Sequence, residues 1–250
     1  MALPVLWHFT FSHFAEKARW ALDFKGIPHV RRALVPGLHF PRVWWMTGGR
    51  TVPVLVLDGE AIGDSTRIIE ALERYRPEPA LYPGGESERR RALDLEEFFD
   101  EEVGHFIRIV MLALEPGDVH YAARVLSTGY GTTTRRLLRA GLPFLRPIVE
   151  RRFAAMARHA RADAAFAKID AALELIEREL TPSGYLVGDR FSVADLTAVA
   201  LLAPLVLPPG YPFPPAPPAT AKYRETLSPR PAFRWATEIY GRHRGTPCVP

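Results

Sequence analysis

Three short segments of the chain carry residue types that could do chemistry together. Ser12-His13-Phe14-Ala15 lies where a strand-like run gives way to a helix-like one. Backbone N–H groups at a helix N-terminus favour a thiolate placed there and lower its pKa. The Ser12 hydroxyl could donate a hydrogen bond to such a thiolate without ionising, or it could simply cap the helix. His13 competes for the role, since an imidazole can donate to a thiol or deprotonate it near neutral pH; the alternative is an ordinary surface histidine. Asp64-Ser65 opens a second helix. Asp64 is a good N-cap, and Ser65 in the first turn can offer its hydroxyl and N–H to an anion. A ligand bearing both a carboxylate and an ammonium would suit the pair, Ser65 taking the carboxylate and Asp64 the ammonium; plain capping is the bland reading. Between these segments, Val52-Pro53 begins a strand in which proline cannot donate to the ladder. A cis bond there would turn the Val52 N–H and C=O outward, ready to pair with an extended peptide.

The elements that must position these residues come in the order β-α-β, then β-β-α. Val5–Phe9 reads as a strand, Ser12–Lys25 as a helix stopped by Gly26, and His29–Val35 as a second extended run. After an irregular stretch, Thr51–Leu57 reads as a buried strand. Asp58-Gly59 is a hairpin signal that returns a short strand at Ala61-Ile62. The helix from Asp64-Ser65 presents Ile68, Ile69, Leu72 and Tyr75 on one face. This is a thioredoxin-like order. A Pro/Gly-rich bridge over 78–86 then separates residues 1–77 from an all-helical region over 87–250. There, Phe99, Val103, Phe106, Ile107, Val110 and Leu114 form a helical stripe, and helices are expected at Tyr121–Leu138, Phe144–Leu180, Val193–Leu205 and Ala232–Arg242. Pro208–Pro218 is too rich in proline for a helix and reads as a stiff extended connector.

Composition narrows the function. Hydrophobic residues make up 48% and charged residues 24%, as in an ordinary globular protein, and no apolar run is long enough to span a membrane. Cys248 is the only cysteine, which excludes an internal disulfide, a zinc cluster or a cysteine redox pair. The N-terminus lacks the basic flank of a signal peptide, so a cytoplasmic location is expected. A net charge of +4 gives no warrant for nucleic-acid binding. The chain has neither Asn nor Gln, a bias that we attribute to codon usage rather than to heat tolerance.

The segments fall in the order found in one family. Phe11–Leu22 resembles the first helix of the glutathione transferases, Thr51-Val52-Pro53-Val54-Leu55 their cis-proline strand, and Gly63–Ile69 their acidic-Ser motif. Gly188–Asp195 resembles their helix-capping segment, in which Ser192 caps, Asp195 reaches back and Phe191 can staple onto Leu196. The resemblance implies a thioredoxin-like domain followed by an all-α domain. It implies that glutathione is held by the Val52 backbone with Asp64 and Ser65, as a substrate with no separate cofactor, and that Ser12 lies near the sulfur. Ala15 stands where relatives often carry a cysteine, which excludes mixed-disulfide chemistry there. Met46–Arg50 departs from the family's Asn-Pro turn, and either Arg50 or Trp45 could fill that side of the cradle.

The reaction so implied is attack of glutathione on a small hydrophobic electrophile lying against the helical region; hydrophobicity points to Phe106, Val110 and Tyr121, while core packing is the competing account of Phe106 and Val110. A homodimer is implied by the resemblance alone. The segment Thr132–Asp163 carries eight arginines among apolar residues. It reads as a solvated basic face rather than as a membrane-binding helix. The second function class is a non-catalytic transferase-fold protein that binds a hydrophobic ligand or a protein partner, favoured by Ala15 and opposed by Asp64-Ser65 and Val52-Pro53.

Overall fold

The computed structural model of the protein describes residues 2–114, 118–141 and 159–249. A four-stranded mixed sheet with flanking helices is followed by a helical half, the architecture expected from the sequence. Strand β1 (Val5–His8) leads into α1 (His13–Phe24), β2 (Val30–Ala33), α2 (Phe40–Thr47), β3 (Val54–Leu57), β4 (Glu60–Gly63) and α3 (Ser65–Tyr75). The sheet order is β2-β1-β3-β4, with β1 parallel to β2 and antiparallel to β3. Asp58 and Gly59 close the β3–β4 hairpin with φ of 48° and 90°, the left-handed pair that a two-residue turn of this hand requires.

The helical half runs through α4 (Glu86–Phe98), a π-helical turn (Phe99–Gly104), α5 (Ile107–Leu114), α6 (Val119–Leu126), α7 (Thr132–Gly141), α8 (His159–Glu179), α9 (Val193–Val206), α10 (Pro218–Leu227) and α11 (Pro231–His243). Helix α9 is buried along its whole length and packs on α1, so the two halves share one apolar core. Phe191 joins that seam. Its ring lies between Trp20, Phe24 and His243, with centroids 5.5, 5.0 and 4.4 Å away, so it fastens the capping segment across the seam. Asp195 accepts from the Ser192 N–H and hydroxyl and from the Leu186 N–H. Burial outweighs these donors and raises its pKa to about 6.

Three expectations need correction. The stretch read as irregular contains α2, an eight-residue helix that buries only Val43 and therefore has no apolar stripe to betray it. The helix expected over Tyr121–Leu138 is two helices, broken where Gly129 adopts φ 77° against the Thr10 side chain. The proline-rich connector ends in α10, because Pro218 sits in the first turn, where a missing N–H costs nothing. The segment at Cys248 is tied to the fold: its N–H donates to Asp23 at 2.8 Å and its carbonyl accepts from the His29 N–H at 3.1 Å. Helix α7 buries none of its residues, in line with a solvated basic face. The remainder of the arginine-rich segment, over 142–158, lies outside the described residues, as does Phe144. Among the described residues, no helix is long and apolar enough to cross a membrane.

Candidate active site

A cavity of about 940 Å³ opens between the two halves, and the three segments meet on its wall. Ser12, His13, Arg50, Val52, Pro53, Asp64, Ser65 and Tyr121 all line it. Phe106 and Val110 do not. Val110 is fully buried in the core, and Phe106 packs against that core with Lys168 over its ring. Their neighbours Ile107, Arg108, Met111 and Leu112 face the cavity instead. Phe106 and Val110 sit on the packed face of the helix, and the residue after each of them faces the cavity.

Ser12 caps α1 in extended conformation (φ −78°, ψ 127°), and its Oγ accepts from the Ala15 N–H at 3.3 Å. The hydroxyl proton is not consumed by that bond and can be donated into the cavity. His13, in the first turn, is used differently. Its Nε2–H donates to the Gly104 carbonyl at 2.7 Å, which ties α1 to the π-helical turn. Burial pulls its pKa down to about 3, and Arg108 and His105 add to the depression against the Gly104 carbonyl. A ring held neutral, with its proton already donated, is a weak candidate base for a thiol. Gly104 is needed at that junction, since a Cβ there would lie 2.4 Å from Cζ of Phe14.

The opposite wall is formed by the segments around Val52 and Asp64. The Val52–Pro53 bond is cis, and so is Glu78–Pro79. Pairing of β3 begins only at Val54, which leaves the Val52 backbone outside the sheet ladder. Asp64 caps α3 through Oδ1, which accepts from the Thr66 N–H at 3.0 Å and the Arg67 N–H at 3.2 Å. Its backbone has φ 70° and ψ 133°, an uncommon conformation for a residue with a Cβ and one that clusters at ligand sites. Ser65 follows as the first residue of α3, 4% exposed. Of the two residues considered for the altered turn, Arg50 lines the cavity and Trp45 stands 77% exposed away from it. The Arg50 carbonyl accepts from His39 Nε2–H at 3.3 Å, which fixes the loop before Val52.

Behind this wall lies a polar cluster whose partners are far apart in the sequence. The fully buried Lys17 ammonium donates to Thr66 Oγ1 at 2.8 Å and to Asp100 Oδ2 at 2.6 Å, and lies 2.8 Å from Glu96 Oε1. The Thr66 hydroxyl lies 3.1 Å from Glu96 Oε1 and 2.8 Å from Asp100 Oδ2, with one proton to donate between the two carboxylates. One ammonium thus joins α1, α3 and α4 directly behind Asp64-Ser65. Burial raises the Glu96 pKa, against the pull of Lys17. A second buried cluster docks the C-terminal segment on α1. Glu16 pairs with Arg19 and Arg244 and accepts from the Tyr240 hydroxyl at 3.1 Å, while Asp23 takes Arg31 and Arg244. Burial opposes the Glu16 charge, but the two guanidinium groups prevail and its pKa falls to about 2. Spacing along α1 shows Lys17, Arg19 and Asp23 as ordinary surface charges, and only their partners from remote segments reveal otherwise.

The sequence matches the glutathione S-transferase N-terminal domain family over residues 6–80 and the C-terminal domain family over residues 153–226. Among solved structures, a glutathione S-transferase from Rhodospirillum rubrum is 23% identical, covering 94% of this chain and 91% of its own, with a TM-score of 0.59. One from Methylobacillus flagellatus, solved with GSH bound, is 19% identical over 99% of each chain, with a TM-score of 0.64. A beta-etherase from Sphingobium is 20% identical, covering 95% of this chain and 99% of its own, with a TM-score of 0.62. At such identities these structures establish the fold. A search of curated protein sequences finds no match. The two family matches together span more than half of the sequence and fall on the two halves of this fold in the right order: the chain belongs to the glutathione S-transferase superfamily.

Proposed function

We propose that the protein binds glutathione and conjugates it to a small hydrophobic electrophile. The observation that carries the reading is the convergence of Ser12, Val52–Pro53 and Asp64-Ser65 on one cavity, with the Ser12 hydroxyl proton uncommitted. The Val52 N–H and C=O pair with the cysteinyl backbone of glutathione in strand fashion. Ser65 receives the γ-glutamyl carboxylate at the start of α3, Asp64 its ammonium through the carboxylate oxygen not used in capping, and Arg50 a further carboxylate. Ser12 and the amino end of α1 then hold the sulfur as thiolate, which attacks an electrophile lying against α5 and Tyr121. His13 positions α1 and takes no proton. Residues 1–77 form the glutathione half and 87–250 the half that receives the electrophile, and the protein acts as a cytoplasmic homodimer.

Ser12→Ala tests this reading. Glutathione should still bind, while thiolate absorbance and conjugation of chlorodinitrobenzene both fall, the rate by about tenfold to a hundredfold for loss of one preorganised donor. Unchanged absorbance and rate would remove Ser12 from the sulfur. Failure of the folded wild type to bind glutathione would favour a non-catalytic binder.

A further inference from the structure

The wall of the cavity beyond Ser12 is built by α5, α6 and the connector. Ile107, Met111, Leu112, Tyr121 and Phe213 give it apolar surface. One residue on this wall departs from that character. Arg108 stands there among apolar neighbours, and among the described residues no hydrogen bond or ion pair engages its guanidinium.

Of the acids that line the cavity, Glu97 and Glu101 are exposed to solvent, and the other four are committed elsewhere. Glu96 and Asp100 hold Lys17, Asp64 caps α3, and Asp118 caps α6 by accepting from the Tyr121 N–H at 2.8 Å. Burial lowers the Arg108 pKa, an arginine keeps its charge in proteins, and that charge helps depress His13. The guanidinium therefore lies at the α1 end of the cavity, beside the residue next to Ser12, and not at the Asp64-Ser65 end. Arg108 is an exposed residue, so water satisfies its donors in the free protein, and its planar fork matches a carboxylate in a bidentate pair.

We propose that Arg108 selects second substrates that carry a carboxylate, the apolar body of the substrate lying against Met111, Leu112 and Tyr121 and its carboxylate meeting the guanidinium. This inference rests on the glutathione reading above and narrows it from hydrophobic electrophiles in general to anionic ones.

Two inert glutathione thioethers that differ by one carboxylate test it without requiring turnover: S-benzylglutathione and S-(carboxybenzyl)glutathione. Their dissociation constants are measured by titration calorimetry on the whole protein, in wild type, Arg108→Met and Arg108→Lys. The wild type should prefer the carboxybenzyl compound by roughly fivefold, the upper end for an ion pair to an exposed guanidinium. In Arg108→Met the ratio should collapse to near one, and Arg108→Lys should restore part of it, because an ammonium keeps the charge but not the fork. Equal binding of the two compounds by wild type would overturn the inference and leave the glutathione reading standing. So would a ratio that survives Arg108→Met while both affinities fall together, since Arg108 would then hold glutathione itself. Binding of neither compound to folded wild type would overturn the glutathione reading, and this inference with it.

Discussion

Acidification should unfold this protein through His13, and the size of the effect follows from its site. In the folded chain the ring is 4% exposed and its pKa lies near 3, whereas an unperturbed histidine titrates at 6.5. Between those values the unfolded chain binds a proton that the folded chain refuses. The contribution of His13 is thus complete above pH 6.5 and is lost progressively as pH falls toward 3. At about 1.4 kcal/mol per unit, lowering the pH from 7.5 to 5 traverses about 1.5 units of the window and costs about 2 kcal/mol. His8, buried beside Arg19 with its pKa also near 3, behaves in the same way and adds a similar loss.

The variant His13→Gln separates the two, because a glutamine amide can still donate to the Gly104 carbonyl but does not titrate. Urea unfolding followed by circular dichroism at pH 7.5 and pH 5 gives the double difference. Wild type should lose about 2 kcal/mol more than the variant over that interval. Equal losses would show that the His13 ring is not held neutral by burial, and the assignment of His13 to positioning would fail with it. The same outcome would reopen its candidacy as the base for the thiol.

Gly104→Ala should destabilise by about 1–3 kcal/mol, because the new methyl meets the Phe14 ring and two packed halves must part to admit it; thermal melting reads the loss. Lys17→Met should cost about 3–5 kcal/mol by stranding Glu96 and Asp100 around an apolar tip, and an unchanged melting temperature would show that the cluster is solvated. Asp64→Asn keeps a capping oxygen for the Thr66 and Arg67 N–H groups but removes the charge. Glutathione affinity, by calorimetry, should fall about tenfold with little change in stability; an unchanged affinity would confine Asp64 to capping.

Local physics was enough to read the elements that carry the cradle. Ser12 and Asp64 announce helix starts through their side-chain oxygens, Gly26 and Asp58-Gly59 announce a stop and a turn through backbone freedom, and Pro53 marks a strand that cannot pair from its first residue. Each of these acts over a few residues, so the chain alone shows them. Helix α2 escaped because a helix that buries one side chain leaves no periodic trace, and Pro218 reads equally as a breaker or as the first turn of a helix.

Which charges are buried was decided only by the tertiary fold. Lys17 meets Glu96 and Asp100 from a helix far along the chain, Glu16 meets Arg244 near its end, and His13 meets a carbonyl that a π-helical turn presents. The fold likewise turned Arg108 and Met111 toward the cavity and Val110 away from it, because the packing of α5 against α8 and α9 fixes which face of that helix stays open. Residue type and spacing placed the three candidate segments in order along the chain. Three-dimensional packing set the environment of each, and that environment separates Ser12, with a proton to give, from His13, whose proton is already given.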